Sequence, residues 1–158
     1  MPQLSLVPEK RIHIAIMRKS WGLTEKILTG EKTIESRWYK NKARPWDQIE
    51  EGDEIYFKNT GEPVKIKATV AKVLQFENLS PNKVREILMK YGPDDGIGVE
   101  ESDLEKYFSL FKDKRYCILV FLKNPQQIEP FEINKKGFGA MAAWITVDKL
   151  EEILKQSG

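Results

Sequence analysis

The sequence contains one cysteine and one histidine among its 158 residues. The single cysteine, Cys117, excludes an internal disulfide and any cysteine-rich metal site, because both need at least two thiols. The single histidine, His13, excludes a multi-histidine metal centre. We therefore predict no metal site and no cofactor, although carboxylates alone can hold Mg²⁺.

Long hydrophobic runs are also absent. No apolar stretch approaches the roughly 18 residues that a membrane span needs. The first ten residues, MPQLSLVPEK, lack the charged-then-apolar pattern of a secretory signal. We therefore expect a cytoplasmic protein with no membrane association. The many lysines and glutamates are weakly indicative of a thermophilic source.

The composition is that of a globular domain with a highly charged surface: 41% of the residues are hydrophobic and 32% are charged. We predict one domain over residues 1–158. The net charge is only +2, but residues 10–46 hold ten basic and three acidic side chains. This segment predicts a basic surface that attracts phosphate. A solvated lysine-rich surface explains the same charge equally well.

Hydrophobic periodicity predicts both strands and helices. Short helices begin after Ser20, Ser80 and Ser102, and a final helix covers 146–156. Predicted strands lie at 11–18, 33–38, 54–58, 64–76 and 115–123, with a bulge where the alternation of the fourth slips at Ala71. Strands interrupted by short helices favour an α+β fold, a mixed β-barrel of about five to seven strands with helices packed around it.

The octapeptide from Gly30 to Arg37 has the pattern G-x-K-x-x-E-x-R. Residues two apart in a strand share a face, so Glu35 and Arg37 lie together, while Ile34 points the other way into the barrel. Lys32 joins them only if the turn after Gly30 rotates it. We expect all three side chains to point into water at the rim of the sheet. Such a cleft suits a nucleotide, with phosphate bound to Lys32 or Arg37 and a base edge bound to Glu35. A structural ion pair between Glu35 and Arg37 is the competing interpretation.

Aromatic and basic residues are interleaved directly after this motif. Bases stack on aromatic rings while cations meet phosphates, so the stretch is typical of nucleic-acid binding. Two of the rings have a competing role, since Trp46 equally fits a loop anchor and Trp38 fits the core. The candidate residues are Trp38, Lys40, Lys42, Arg44 and Trp46.

A second candidate segment covers 134–144. Gly137 and Gly139 flank Phe138 and permit an exposed backbone, so we predict that Lys136 and Phe138 approach a ligand. Trp144 is predicted to pack in the interior. Outside these segments, His13 is predicted to lie at the surface or in a second layer, and Cys117 in the core.

The octapeptide between a helix and a strand, with Gly52-Asp53 downstream, resembles the signature of the ASCH domain family over about 12–121. The resemblance implies a PUA-like barrel that binds RNA or a modified nucleoside. Some small bacterial ASCH proteins instead hydrolyse acylated cytidine nucleosides. Their motif lysine corresponds to Lys32, but they carry a threonine nucleophile where this chain has Glu35, and their further glutamate is matched only loosely, by Glu100 or Glu101.

The departure at Glu35 disfavours the same hydrolytic mechanism, because a carboxylate does not replace a hydroxyl nucleophile. We therefore expect a binding module and not an enzyme. Two alternatives remain open. Lys32 and Glu35 are the catalytic candidates if the protein performs acid–base chemistry on a nucleoside. A protein-interaction adaptor in transcription or translation is the other alternative.

Overall fold

The computed structural model describes residues 10–92, 96–139 and 141–154. The described part of the chain contains six strands, β1 to β6 in chain order: Ile12–Met17, Ile34–Tyr39, Glu54–Asn59, Val64–Phe76, Tyr116–Phe131 and Trp144–Val147. It also contains three α-helices, α1 to α3: Leu23–Thr29, Pro81–Tyr91 and Leu104–Phe111. Within these ranges, no helix has the length and apolar character that crossing a bilayer requires.

The six strands form one mixed sheet in the order β2-β5-β4-β3-β1-β6. β1 and β3 pair in parallel, and the other neighbours are antiparallel. The predicted α+β class is confirmed, with a sheet that forms a half-barrel and helices packed on it. The predicted irregularity at Ala71 is confirmed too, because the β4–β5 register shifts between Val70 and Lys72.

Two hydrophobic clusters cover the two faces of the sheet around β2. The inner cluster joins β1, β3, β4 and β5 with α1, and it includes Phe57 and Ile118. The outer cluster packs α2 and α3 against β2 and β5, and it includes Ile34, Trp38 and Leu119. Ile34 therefore faces the helices, and the prediction that it points into the barrel is wrong. Glu35 and Arg37, of opposite parity, point toward the inner side.

The predicted final helix at 146–156 is wrong for the residues that the structure describes. The segment begins as strand β6, which pairs with β1 so that Ile145 lies opposite Ile14. A single 3₁₀ turn, Leu150–Glu152, follows, and positions 155–156 lie outside the described residues. The apolar residues of this segment have helical spacing, but pairing with β1, a strand far earlier in the chain, decides its structure.

Two predicted helix starts and one strand end also differ. Gly22, with a left-handed φ of 63°, precedes α1 in place of Ser20, and Asp103 precedes α3 in place of Ser102. Ser80 does cap α2, accepting a hydrogen bond from Lys83 N. β5 continues to Phe131, beyond the predicted strand end at residue 123, because it pairs there with β4.

His13 is fully buried, so of its two predicted positions, at the surface or in a second layer, the surface position is wrong. Nε2 lies 2.9 Å from Asp53 Oδ2, and the Trp144 indole N–H donates to Nδ1 at 3.1 Å. Because an indole only donates, this contact requires a lone pair on Nδ1. His13 is therefore neutral, with its proton on Nε2, and it links β1 to β6 and to the turn before β3.

Burial lowers the pKa of His13 below its ordinary value of 6.5. As the pH falls below 6.5, the unfolded chain binds this proton before the folded chain does, so stability decreases. At pH 5.5 this loss reaches at most about 1.4 kcal/mol. Urea unfolding at pH 7.5 and 5.5 checks the prediction. We expect the difference in the free energy of unfolding between the two pH values to be smaller for His13→Gln than for the unsubstituted protein. An equal difference for the two proteins contradicts the prediction.

Candidate functional site

The turn between α1 and β2 brings Lys32 to the same side as Glu35. Gly30 ends α1 with a φ of 85°, a left-handed conformation that side chains rarely adopt. The Lys32 N–H then folds back to donate to Lys26 O at 3.0 Å. The sequence analysis made the position of Lys32 conditional on this rotation, and with it Lys32 contacts Glu35, which also contacts Arg37.

The Lys32 ammonium is buried, with 2% of the residue exposed. It donates to the carbonyl oxygens of Ile34 and of Ile97, the latter at 2.8 Å. It lies 3.2 Å from Glu35 Oε1. Three acceptors therefore match its three N–H bonds. Burial lowers the pKa of Lys32, and the Glu35 carboxylate opposes that shift.

Backbone from the segment after α2 covers Lys32. Gly98 has a φ of 91°, and a Cβ at that position would lie 3.5 Å from the Lys32 Cβ. The same segment joins β2, because Thr33 and Ile34 both donate to Gly96 O. The lysine is thus buried by a segment more than sixty residues away in the chain.

Glu35 bridges the two cations. Its Oε2 accepts from Arg37 Nε at 3.0 Å and lies 2.9 Å from Arg37 Nη2. Both contacts go to the same carboxylate oxygen, and the other oxygen, Oε1, faces Lys32. Only 3% of Glu35 is exposed. We call Lys32, Glu35 and Arg37 the ion cluster, which carries a formal charge of +1.

Arg37 connects the two ends of the sheet. From β2, at one end, its guanidinium reaches Ile16 O and Met17 Sδ of β1 at 3.4 and 3.3 Å. It also donates to Ala143 O and lies 5.0 Å from the centre of a Trp144 ring. Side-chain contacts from Arg37 therefore hold β2 beside β1 and β6, which lie at the opposite end of the strand order.

A cleft of about 310 Å³ opens beside the ion cluster. This volume is near the lower end of ordinary ligand pockets, roughly 300–1,000 Å³. Aromatic and aliphatic side chains make most of its wall, and the ion cluster supplies much of its polar part. The lining includes Ile16, Met17, Arg18, Trp21, Leu23, Lys32, Glu35, Ser36, Arg37, Trp38, Tyr39, Ile97, Val99, Tyr107, Phe111 and Ala143.

The aromatic part of the cleft comes from three separate segments. Trp38 of β2 stacks on Phe111 of α3, with centroids 4.8 Å apart and planes 5° apart. Trp21, just before α1, meets Tyr107 of α3 edge-on at 6.1 Å. The Arg18 guanidinium lies over the Trp21 ring at 5.1 Å. The cleft therefore combines flat apolar surfaces with cations.

The structure places four of the sequence-predicted site residues together. Lys32, Glu35, Arg37 and Trp38 line the cleft. The expectation that the first three are open to solvent is wrong for Lys32 and Glu35, which are buried. The ion pair between Glu35 and Arg37, which was the competing interpretation of the motif, is also present.

The remaining predicted residues are not in the cleft wall. Lys40, Lys42 and Arg44 are exposed on the loop 40–46, called the basic loop. Trp46 is half-buried and packs edge-on against Tyr116, in the role of a loop anchor. Lys136 is exposed, and Phe138 packs against a third hydrophobic cluster around β6. Trp144 is buried as predicted.

Sequence reasoning did not identify Arg18, Trp21, Tyr107, Phe111 and the segment 97–99 as part of the site. Tyr107 and Phe111 have helical spacing, which indicates that this face of the helix is packed. The spacing does not show which other elements pack against it. Trp21 gave the clearest signal, as a tryptophan directly before the helix that leads into the motif. The 97–99 segment gave none.

Comparison with solved structures finds the same fold in ASCH from Zymomonas mobilis. That crystal structure has a TM-score of 0.61 and 17% sequence identity, covering 89% of this chain and 90% of that one. A serine-to-alanine variant of the same protein gives a TM-score of 0.55 at 17% identity, covering 80% and 77%. No protein-family model matches this chain, and no curated protein matches it. The likeness establishes an ASCH-type fold.

Proposed function

We propose that this ASCH-type domain binds RNA, or a modified nucleoside, by taking one base into the cleft beside the ion cluster. The observation that carries the proposal is the combination of flat aromatic walls and excess positive charge in one small cavity. A nucleobase needs the first and its phosphates need the second. The cavity is large enough for one planar group, so neighbouring nucleotides lie outside it.

The aromatic walls supply the binding energy for the base. Stacking on an aromatic side chain is worth about 1–3 kcal/mol per base and tolerates any sequence, because every base has a π-face. Trp21 and Trp38 enter the cleft from different segments of the chain. A base that stacks on either ring loses water from the face in contact.

The ion cluster supplies shape and charge. Lys32 and Arg37 fix the Glu35 carboxylate from two sides. A carboxylate held in this way accepts a base N–H at a defined position, which gives the cleft a means of selecting among bases. In this role Lys32 positions Glu35, since its own N–H bonds are taken up by protein acceptors.

The basic loop extends the proposed surface beyond the cleft. Its cations, Lys40, Lys42 and Arg44, follow Trp38 and Tyr39 directly in the chain. The Tyr39 hydroxyl donates to Arg44 O at 2.7 Å, which ties the loop to the end of β2. Lys136 and Phe138 join the surface only for a longer ligand. A strand with its base in the cleft therefore meets these cations through its flanking phosphates.

Binding of a labelled single-stranded RNA of mixed sequence, followed by fluorescence anisotropy, tests the proposal. We expect Kd to rise steeply with salt, because bound phosphates release counterions. Trp21→Ala is expected to weaken binding by about 5- to 150-fold, the equivalent of the stacking energy. Phe131→Ala is the control, since this half-buried ring lies on β5 outside the cleft wall.

Two results oppose the proposal. One is that neither the RNA nor any free modified nucleoside binds to the protein. The other is equal weakening by Trp21→Ala and Phe131→Ala, which indicates a general loss of structure. Circular dichroism of both variants separates that loss from a local effect on the cleft.

Acid–base chemistry by Lys32 is the second candidate, because burial lowers the pKa of this amine. An amine whose pKa is lowered gives up its proton more readily than an ordinary lysine. However, the ammonium already contacts Ile34 O, Ile97 O and Glu35. A substrate must displace one of these acceptors before it reaches the proton, so the geometry supports binding better than catalysis.

A further inference from the structure

The two cations of the ion cluster are largely committed to protein acceptors. Lys32 has an acceptor for each of its three N–H bonds. Arg37 directs its guanidinium to Glu35, to Ile16 O and to Ala143 O. A phosphate that enters the cleft therefore competes with existing contacts at both residues. Neither is a ready phosphate ligand.

Arg18 is in a different situation. It lines the same cleft and is exposed. Its guanidinium lies over the Trp21 ring at 5.1 Å. Within residues 10–92, 96–139 and 141–154, no carboxylate oxygen comes within the 4.0 Å of an ion pair with it. Its neighbour Lys19, by contrast, pairs with Glu62 at 2.8 Å.

The formal charges in the cleft also favour an anionic ligand. Among the described residues that line it, three are cations and only Glu35 is an anion. One positive charge is neutralised inside the ion cluster, which leaves an excess of +2. An excess charge in a cleft with apolar walls attracts counter-ions more strongly than the same charge on open surface. A neutral nucleoside leaves this charge unmet.

We propose that Arg18 binds a phosphate of the nucleotide whose base occupies the cleft. This inference rests on the proposed function and specifies its ligand class: a phosphorylated nucleotide within RNA, in preference to a free neutral nucleoside. The position of the guanidinium over Trp21 holds the cation at the rim of the cleft. A guanidinium also presents paired N–H donors that match phosphate oxygens.

The salt dependence of RNA binding tests the role of Arg18. Each phosphate contact contributes about 0.7–1 to the slope of log Kd against log salt concentration. Arg18→Gln is therefore expected to reduce that slope by about 0.7–1, with the same labelled RNA. Arg18→Lys keeps the charge and is expected to preserve the slope. Lys19→Gln is the matched control, since its charge is already met by Glu62, and it leaves the slope unchanged.

The outcomes separate this inference from the proposed function. If the RNA binds and Arg18→Gln has the slope of the unsubstituted protein, the inference is overturned while the proposed function stands. Equal reductions for Arg18→Gln and Lys19→Gln also overturn it, because the effect is then one of general surface charge. Binding of a neutral-backbone methylphosphonate oligomer as tightly as RNA overturns it as well, because no phosphate charge is then required. If neither the RNA nor a free nucleoside binds, the proposed function itself fails.

Discussion

Replacing Glu35 with glutamine is expected to lower the free energy of unfolding by about 3–5 kcal/mol, the cost of removing one partner from a buried ion pair. Glu35 contacts Lys32 through one oxygen and Arg37 through the other. Glutamine has nearly the same shape, but its amide nitrogen turns N–H bonds toward one of these donors. The ammonium of Lys32 then stays buried without a counter-charge.

Urea unfolding at neutral pH measures this effect, and Glu105→Gln is its matched control. Glu105 also forms a two-point ion pair with an arginine, Arg85, but Glu105 is exposed. Exposed pairs of this kind contribute little to stability. We expect Glu105→Gln to leave the unfolding midpoint almost unchanged. Similar midpoints for Glu35→Gln and the unsubstituted protein would show that the ion cluster does not hold a buried charge.

Replacing Trp38 with alanine is expected to cost about 3–5 kcal/mol of stability, the usual range for a large buried aromatic. Only 7% of Trp38 is exposed. Its ring stacks on Phe111 of α3, and its indole N–H donates to Ser36 Oγ at 2.9 Å. Alanine removes both contacts and opens a void between β2 and α3, so the wall of the cleft is lost as well.

Trp38→Phe and Trp46→Ala are the comparisons for this prediction. Phenylalanine retains a ring against Phe111 and loses only the hydrogen bond and part of the volume, so it is expected to cost less. Trp46 is half-buried against Tyr116, and its removal also costs less. Unfolding midpoints in urea rank the three variants. A loss for Trp46→Ala that equals that of Trp38→Ala contradicts the different burial of the two rings.

The ion cluster links stability to the proposed binding. Arg37 holds β2 against β1 and β6 through Ile16, Met17 and Ala143, and these residues also line the cleft. The contacts that join the ends of the sheet therefore also set the width of the cleft. A substitution in the cluster is expected to change stability and binding together, which is why Trp21 and Arg18 give cleaner tests of function.

Regular alternation over single strands was the most reliable information in the sequence. The isoleucines at 12, 14 and 16 predicted β1, and the slip at Ala71 predicted the irregularity in β4. The failures lie where pairing with a distant strand decided the structure. Residues 144–147 form strand β6 because their backbone pairs with β1. The extension of β5 is a strand because β4 is long enough to pair with it.

By itself, the sequence determined that Gly30 turns the chain and that Glu35 and Arg37 share a face, because both follow from local backbone geometry. Only the tertiary structure decided which face is inward, that Lys32 is buried under residues 97–98, and that Trp21 meets Tyr107 across the cleft. Periodicity specifies which side chains lie together on one element. Burial and the composition of a cleft depend on elements distant in the chain, whose approach is set by packing of the whole domain.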